Sequence, residues 1–180
     1  MIECAGQVAV NSRIAPTLIL GYGNPSRGDD ALAPLLLEAL SDAAARTANN
    51  VELMTDFQLQ IEHVLDLEGR TRVVFVDATQ TGVEPYRFET IEATPEPCLS
   101  THSLLPGALL AVYRNHFGMD APPSRVLAIR GYSFELGDGL SAAARCNLDA
   151  AHAMLTFWLN CPASPHSPVR ILPVAQFARD

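Results

Sequence analysis

The sequence contains no lysine; all twelve of its basic residues are arginine. Set against twenty acidic residues, they leave a formal net charge of −8. No basic stripe is available to neutralise phosphates, which argues against nucleic acid or anionic membrane as the main partner. The missing lysines themselves read as codon bias. Cysteine is scarce and scattered: Cys4, Cys98, Cys146 and Cys161 form no C-x-x-C pair. That pattern is neither a zinc ribbon nor a redox motif nor a disulfide scaffold, and it reads as free thiols in a reducing cytosol. Long apolar runs are missing too. The stretch Thr17–Tyr22 is too short for the core of a secretory signal, and no segment approaches the roughly 18 apolar residues of a membrane span. The expected location is the cytoplasm, with no membrane contact. The serine nucleophile elbow G-x-S-x-G and the zinc helix H-E-x-x-H are absent as well.

What remains is ordinary globular material: 180 residues, 48% hydrophobic and 18% charged. A chain of this length buries roughly 70% of its unfolded surface and needs no staples. One domain is expected over residues 1–160. A tail from 161 to 180 follows, in which Pro162, Pro165, Pro168 and Pro173 forbid regular helix. Within the domain, Thr17–Tyr22 reads as a buried strand, with a helix following from about Ala31 to Ala45. Asp29 or Asp30 is the natural N-cap of that helix. Strands are expected at 51–55 and 71–78, a short helix at 61–67, and an antiparallel or edge strand at 86–93. A helix at 103–117, a strand at 125–132 and a helix at 142–159 capped by Ser141 complete the pattern. Strands alternating with helices predict an α/β three-layer sandwich with a mostly parallel sheet and helices on both faces.

In such sheets ligands sit beyond the carboxyl ends of the strands, near the topological switch point. Asp77 ends the apolar strand VVFVD, where packing does not explain a carboxylate. Asp30 follows the first strand's turn, and His102 opens a predicted helix. Each taken alone reads equally well as a cap. Together, two carboxylates and one imidazole form a ligand set suited to nickel, zinc, iron or manganese, with positions left open for water or substrate. The cluster DFQLQIEH at 56–63 lies on the same predicted edge. Asp56, Gln58 and Gln60 are candidates to hydrogen-bond a bound peptide or to orient a metal ligand. Asn24 and Asp29, in the turn after the first strand, are further substrate-contact candidates. His63, His116, His152 and His166 read as helix-surface or tail residues. The turn Gly21-x-Gly23-x₄-Gly28 departs from the dinucleotide spacing, and two aspartates at the helix start would repel a phosphate.

The segments LGYGNPSRGDD, Asp56, VVFVDA at 73–78, S-x-H at 100–102 and LAIRGY leading to Leu140-Ser141 together resemble the hydrogenase maturation endopeptidases, which process the large subunit of nickel–iron hydrogenases. The match spans residues 17–160 in the family's order. The resemblance implies a phosphorylase/hydrolase-like fold and a cytoplasmic, monomeric protease, aspartic-type or metal-assisted. Its partner would be the hydrogenase large-subunit precursor, from which it removes a C-terminal extension once nickel is in place. It also implies that Asp30, Asp77 and His102 are the metal-contacting and catalytic residues. Nickel would be recognised in the precursor rather than kept as a permanent cofactor, and zinc or another divalent ion could substitute. Some relatives carry Glu in place of Asp30, and others a Gly-Thr-rich loop in place of Phe57-Gln58-Leu59-Gln60. The DFQLQ form is similar to the branch serving soluble, NAD-coupled hydrogenases. A non-cleaving chaperone of the same fold is the alternative from another class, and a small-molecule or nucleotide enzyme is a third.

Overall fold

A computed structural model describes residues 14–45, 50–94 and 104–160 of the chain. Strand β1 (Thr17–Tyr22), an interior strand of the sheet, is buried at all six positions, because its side chains alternate between two covered faces. A 3-10 turn at Gly28–Ala31 leads directly into helix α1 (Leu32–Ala45). Strand β2 (Val51–Asp56) follows, then a 3-10 segment at Ile61–Leu67 and strand β3 (Arg72–Thr79). Strand β4 (Tyr86–Ile91), helix α2 (Pro106–Phe117), strand β5 (Ser124–Arg130) and helix α3 (Ala142–Asn160) complete the described elements.

The sheet order is β2-β1-β3-β5-β4. Strands β2, β1, β3 and β5 run parallel, and β4 pairs antiparallel with β5 at the edge, as the alternation over 86–93 predicts. Helices cover both faces. On one side Ile19, Val74, Val76, Leu127 and Ile129 pack against the apolar stripes of α1 and α3. On the other, Leu18, Leu20, Tyr22, Val73 and Phe75 meet Val64 and Leu67 of the 3-10 segment and Leu109, Leu110 and Tyr113 of α2. The three-layer α/β sandwich expected from the alternation is therefore present. Its switch point lies between β1 and β3, where the chain turns outward to β2 in one direction and to β5 in the other.

Three local expectations give way to tertiary geometry. The segment 61–67 coils as a 3-10 helix. Helix α2 begins at Pro106, three residues later than expected, because proline suits a helix's first turn, where no N–H is needed. Neither Asp29 nor Asp30 caps α1: the turn at 28–31 intervenes, and no side chain caps it. No helix among the described residues is long and apolar enough to cross a membrane. The predicted tail 161–180 and His102 lie outside the described residues.

Candidate active site

The site is built where β1 and β3 end. Strand parity and register place Tyr22 of β1, Asp77 of β3 and Asp56 of β2 on one face of the sheet, at its carboxyl edge. After Tyr22 the chain must turn sharply back across the strand ends, and Gly23 makes this possible with φ of +153°. A Cβ added there would stand 2.2 Å from the carbonyl oxygen of Asp30. The turn is closed by Asp30 itself, whose Oδ2 accepts the N–H of Asn24 at 2.8 Å. Asn24 in turn accepts the N–H of Ser26 through its side-chain oxygen at 2.9 Å. Its Oδ1 therefore shapes the loop that presents Asp30. Replacing Gly23 with alanine is expected to displace Asp30 and to cost roughly 2 kcal/mol or more, as strained positive-φ substitutions with a backbone clash do. Urea unfolding checks this, and a midpoint equal to wild type would contradict it.

Asp77 is the electrostatically unusual group. Burial pushes its carboxyl up to about 7, against hydrogen bonding from the N–H of Ala78. The charge of Asp30 raises it further, while a hydrogen bond from Tyr22 lowers it. The Tyr22 hydroxyl is itself pushed well above its ordinary value, first by burial and then by the charge of Asp77. Asp77 therefore shares its proton balance with a second carboxylate and a phenol. Sequence reasoning found both acids but missed Tyr22, which read only as the last apolar residue of a strand. The available signal was its parity with Leu18 and Leu20, which turns its ring toward the face of Asp77.

Asp29, a predicted substrate contact, is turned inward and fully buried. One carboxylate oxygen accepts the N–H groups of Tyr132 at 2.7 Å and Ser133 at 3.0 Å, and the Ser141 hydroxyl at 2.8 Å. The other accepts the N–H of Ser141 at 2.7 Å. Burial alone would raise its pKa, but the bonds from Ser133, Ser141 and Tyr132 outweigh it and hold the carboxyl below the usual range. Asp29 thus ties the loop after β1 to the loop between β5 and α3. Gly131 allows this, since a Cβ there would lie 2.8 Å from Asp29 Cβ. Asp56 carries two contacts: its Oδ1 accepts the N–H of Phe57, and its Oδ2 lies 3.4 Å from His63 Nε2. Gln58 and Gln60 are exposed nearby. His63, expected on a helix surface, is instead buried.

The structure brings Asp30, Asp77 and Tyr22 together and places Asp56 two strands from Asp77 on the same face. No three His, Cys, Asp or Glu side chains among the described residues are grouped to hold a metal ion. A cleft of about 460 Å³ along α2, lined by Thr94, Arg114, Asn115 and Asp120 among others, contains none of the predicted site residues.

The chain has structural counterparts among known proteins. It is similar in structure to the [NiFe] hydrogenase maturation protease HycI from Thermococcus kodakarensis KOD1, with a TM-score of 0.61 and 23% identity over 83% of this chain and 96% of that one. It is also similar to the hydrogenase maturating endopeptidase HybD from E. coli, with a TM-score of 0.60 and 19% identity over 79% and 91% of the two chains. No family model matches the sequence, and no curated protein matches it. The fold is that of the hydrogenase maturation proteases. At these identities the likeness describes architecture alone.

Proposed function

We propose that this protein is an endopeptidase that removes the C-terminal extension of a nickel–iron hydrogenase large-subunit precursor after nickel insertion. The observation that carries this reading is the acid pair Asp30–Asp77 at the switch point of a maturation-protease fold, one member held near pH 7 by burial. A carboxyl so poised can exchange a proton for a divalent cation at neutral pH, since a carboxylate must be deprotonated to act as a ligand. The precursor's nickel is then read as cargo by Asp30 and Asp77, with His102 as the nitrogen donor, and cleavage waits for metal loading. Two oxygens and one imidazole suit a divalent ion of this class. Cation binding at the site polarises the neighbouring peptide carbonyl or a water, which is how hydrolysis is assisted. The protein acts as a monomer in the cytoplasm and retains no resident metal.

The test is incubation of the full chain with nickel-loaded precursor, followed by mass spectrometry of the large subunit. Loss of a C-terminal peptide is expected with wild type, and Asp30→Ala, Asp77→Ala and His102→Ala should each leave the precursor intact. An unshortened large subunit with wild-type protein would instead favour a non-cleaving chaperone. The pH dependence gives a second reading of the same site. Because free Asp77 must lose its proton to meet the cation, kcat/KM is expected to rise with pH up to about 7 and then level off. A fall over that interval would mean that Asp77 serves as a proton donor in an aspartic-type scheme.

A further inference from the structure

His63 has a packing explanation that covers only half of its contacts. Its Nδ1 accepts the N–H of Gln60 at 2.9 Å, at the start of the 3-10 segment 61–67. A Glu or Gln side chain would cap that N–H equally well. The ring's other nitrogen is not needed for the cap, yet Nε2 lies 3.4 Å from Asp56 Oδ2. With Nδ1 as the acceptor, the neutral ring carries its proton on Nε2, the nitrogen nearest the carboxylate. Asp56 thus has one oxygen beside His63 Nε2 and the other accepting the N–H of Phe57. Its side chain nonetheless remains 32% exposed, against 9% for His63. The carboxylate is thus contacted at both oxygens and still partly open to solvent. It stands in register with Tyr22, on the face and edge that carry Asp77.

We infer that His63 is a positioning residue that fixes Asp56 as an anchoring carboxylate for a hydrogen-bond donor of the peptide substrate. This rests on the peptidase reading above and adds to it an element outside the acid pair. A carboxylate locked in one orientation loses less side-chain entropy on binding than a free one, so the effect falls on substrate affinity rather than on the chemical step. Toward the substrate His63 acts through Asp56, which makes the two residues energetically coupled.

The experiment measures KM and kcat for nickel-loaded precursor with the full chain and four variants: His63→Leu, His63→Gln, Asp56→Ala and the Asp56→Ala/His63→Leu double variant. His63→Leu is expected to raise KM roughly tenfold while kcat stays within about threefold. His63→Gln, which can accept from Gln60 and donate to Asp56, should restore most of the affinity. On the Asp56→Ala background, His63→Leu should add less than about twofold, as coupled residues require. Additive losses, or a glutamine variant as impaired as the leucine one, would overturn the inference. Nitrogen-15 NMR of the imidazole tests the geometry without any cleavage. An Nε2–H tautomer whose Nε2 resonance moves on Asp56→Ala is expected, and an Nδ1–H tautomer would overturn the assignment. Wild-type protein that leaves the precursor intact defeats the peptidase reading, while the ring spectrum still decides whether His63 holds Asp56.

Discussion

Asp77→Asn is expected to unfold at a higher temperature than the wild type at pH 8 while losing precursor processing by roughly 10²–10⁴-fold. The gain follows from the raised carboxyl. Between the ordinary aspartate value near 4 and the folded value of about 7, the native protein holds a proton that the unfolded chain has released. The stability this group contributes is therefore complete at low pH and falls as pH rises through 7. Above 7 the native state carries the full cost of a buried charge beside Asp30, and asparagine removes it. The difference at pH 8 is at most ~4 kcal/mol, and screening at the carboxyl's solvent-facing side brings it nearer ~2 kcal/mol. In a chain of this size that raises the melting temperature by about 4–8 °C, and the gain should vanish at pH 4. Calorimetry at the two pH values decides the matter. A variant less stable than wild type at pH 8 would mean that Asp77 carries no such penalty.

The opposite sign is expected for Asp29→Asn. Here the folded pKa is lowered, so the stabilisation is present above the ordinary aspartate value and is lost as pH falls through the folded one. Four donors converge on this buried carboxylate. An amide can accept at one atom only and would turn its NH₂ against N–H groups. Each buried donor left without a partner costs about 1–3 kcal/mol, so a loss of roughly 3 kcal/mol or more is expected at neutral pH. Processing should fall as well, because Asp30 is the next residue in the same turn. Urea denaturation at pH 7 gives the measurement. An unchanged midpoint would show that the four bonds are dispensable.

Asp77 and Asp29 show where the sequence speaks and where it is silent. The strand that carries Asp77 is legible to within one residue, although it runs on past the acid to Thr79, because an apolar β-branched run has few other meanings. Ser141 does cap α3, accepting the N–H of Ala144 at 3.2 Å. The expected helix 103–117 begins late and the strand 125–132 ends early, at a proline and at Gly131, where chain geometry overrides propensity. Roles set by distant contacts could not be read locally. Asp29 and Asp30 are adjacent and look alike, yet one faces Ser141, 112 residues away, and the other faces its own turn. His63 carries a helix-like pattern around it and gives no local sign of Asp56 across the loop. Tyr22 hides within an apolar strand. In each case the missing information is a register or a crossover, which the sheet supplies and the local pattern does not.

The tie between the first loop and the last also bears on the order of assembly. The carboxylate of Asp29 bonds residues 103, 104 and 112 positions further on, and the backbone N–H of Gly28 donates to the carbonyl of Asp138 at 3.1 Å. Contacts so remote in sequence are closed only after the intervening chain has been made and packed. A nascent chain that has formed β1, β2 and β3 already contains both acids of the pair. It lacks the brace that holds the turn of Asp30 against the sheet until the start of α3 arrives. Formation of the Asp30–Asp77 site is thereby tied to completion of the domain, and an unfinished copy holds both acids without the brace.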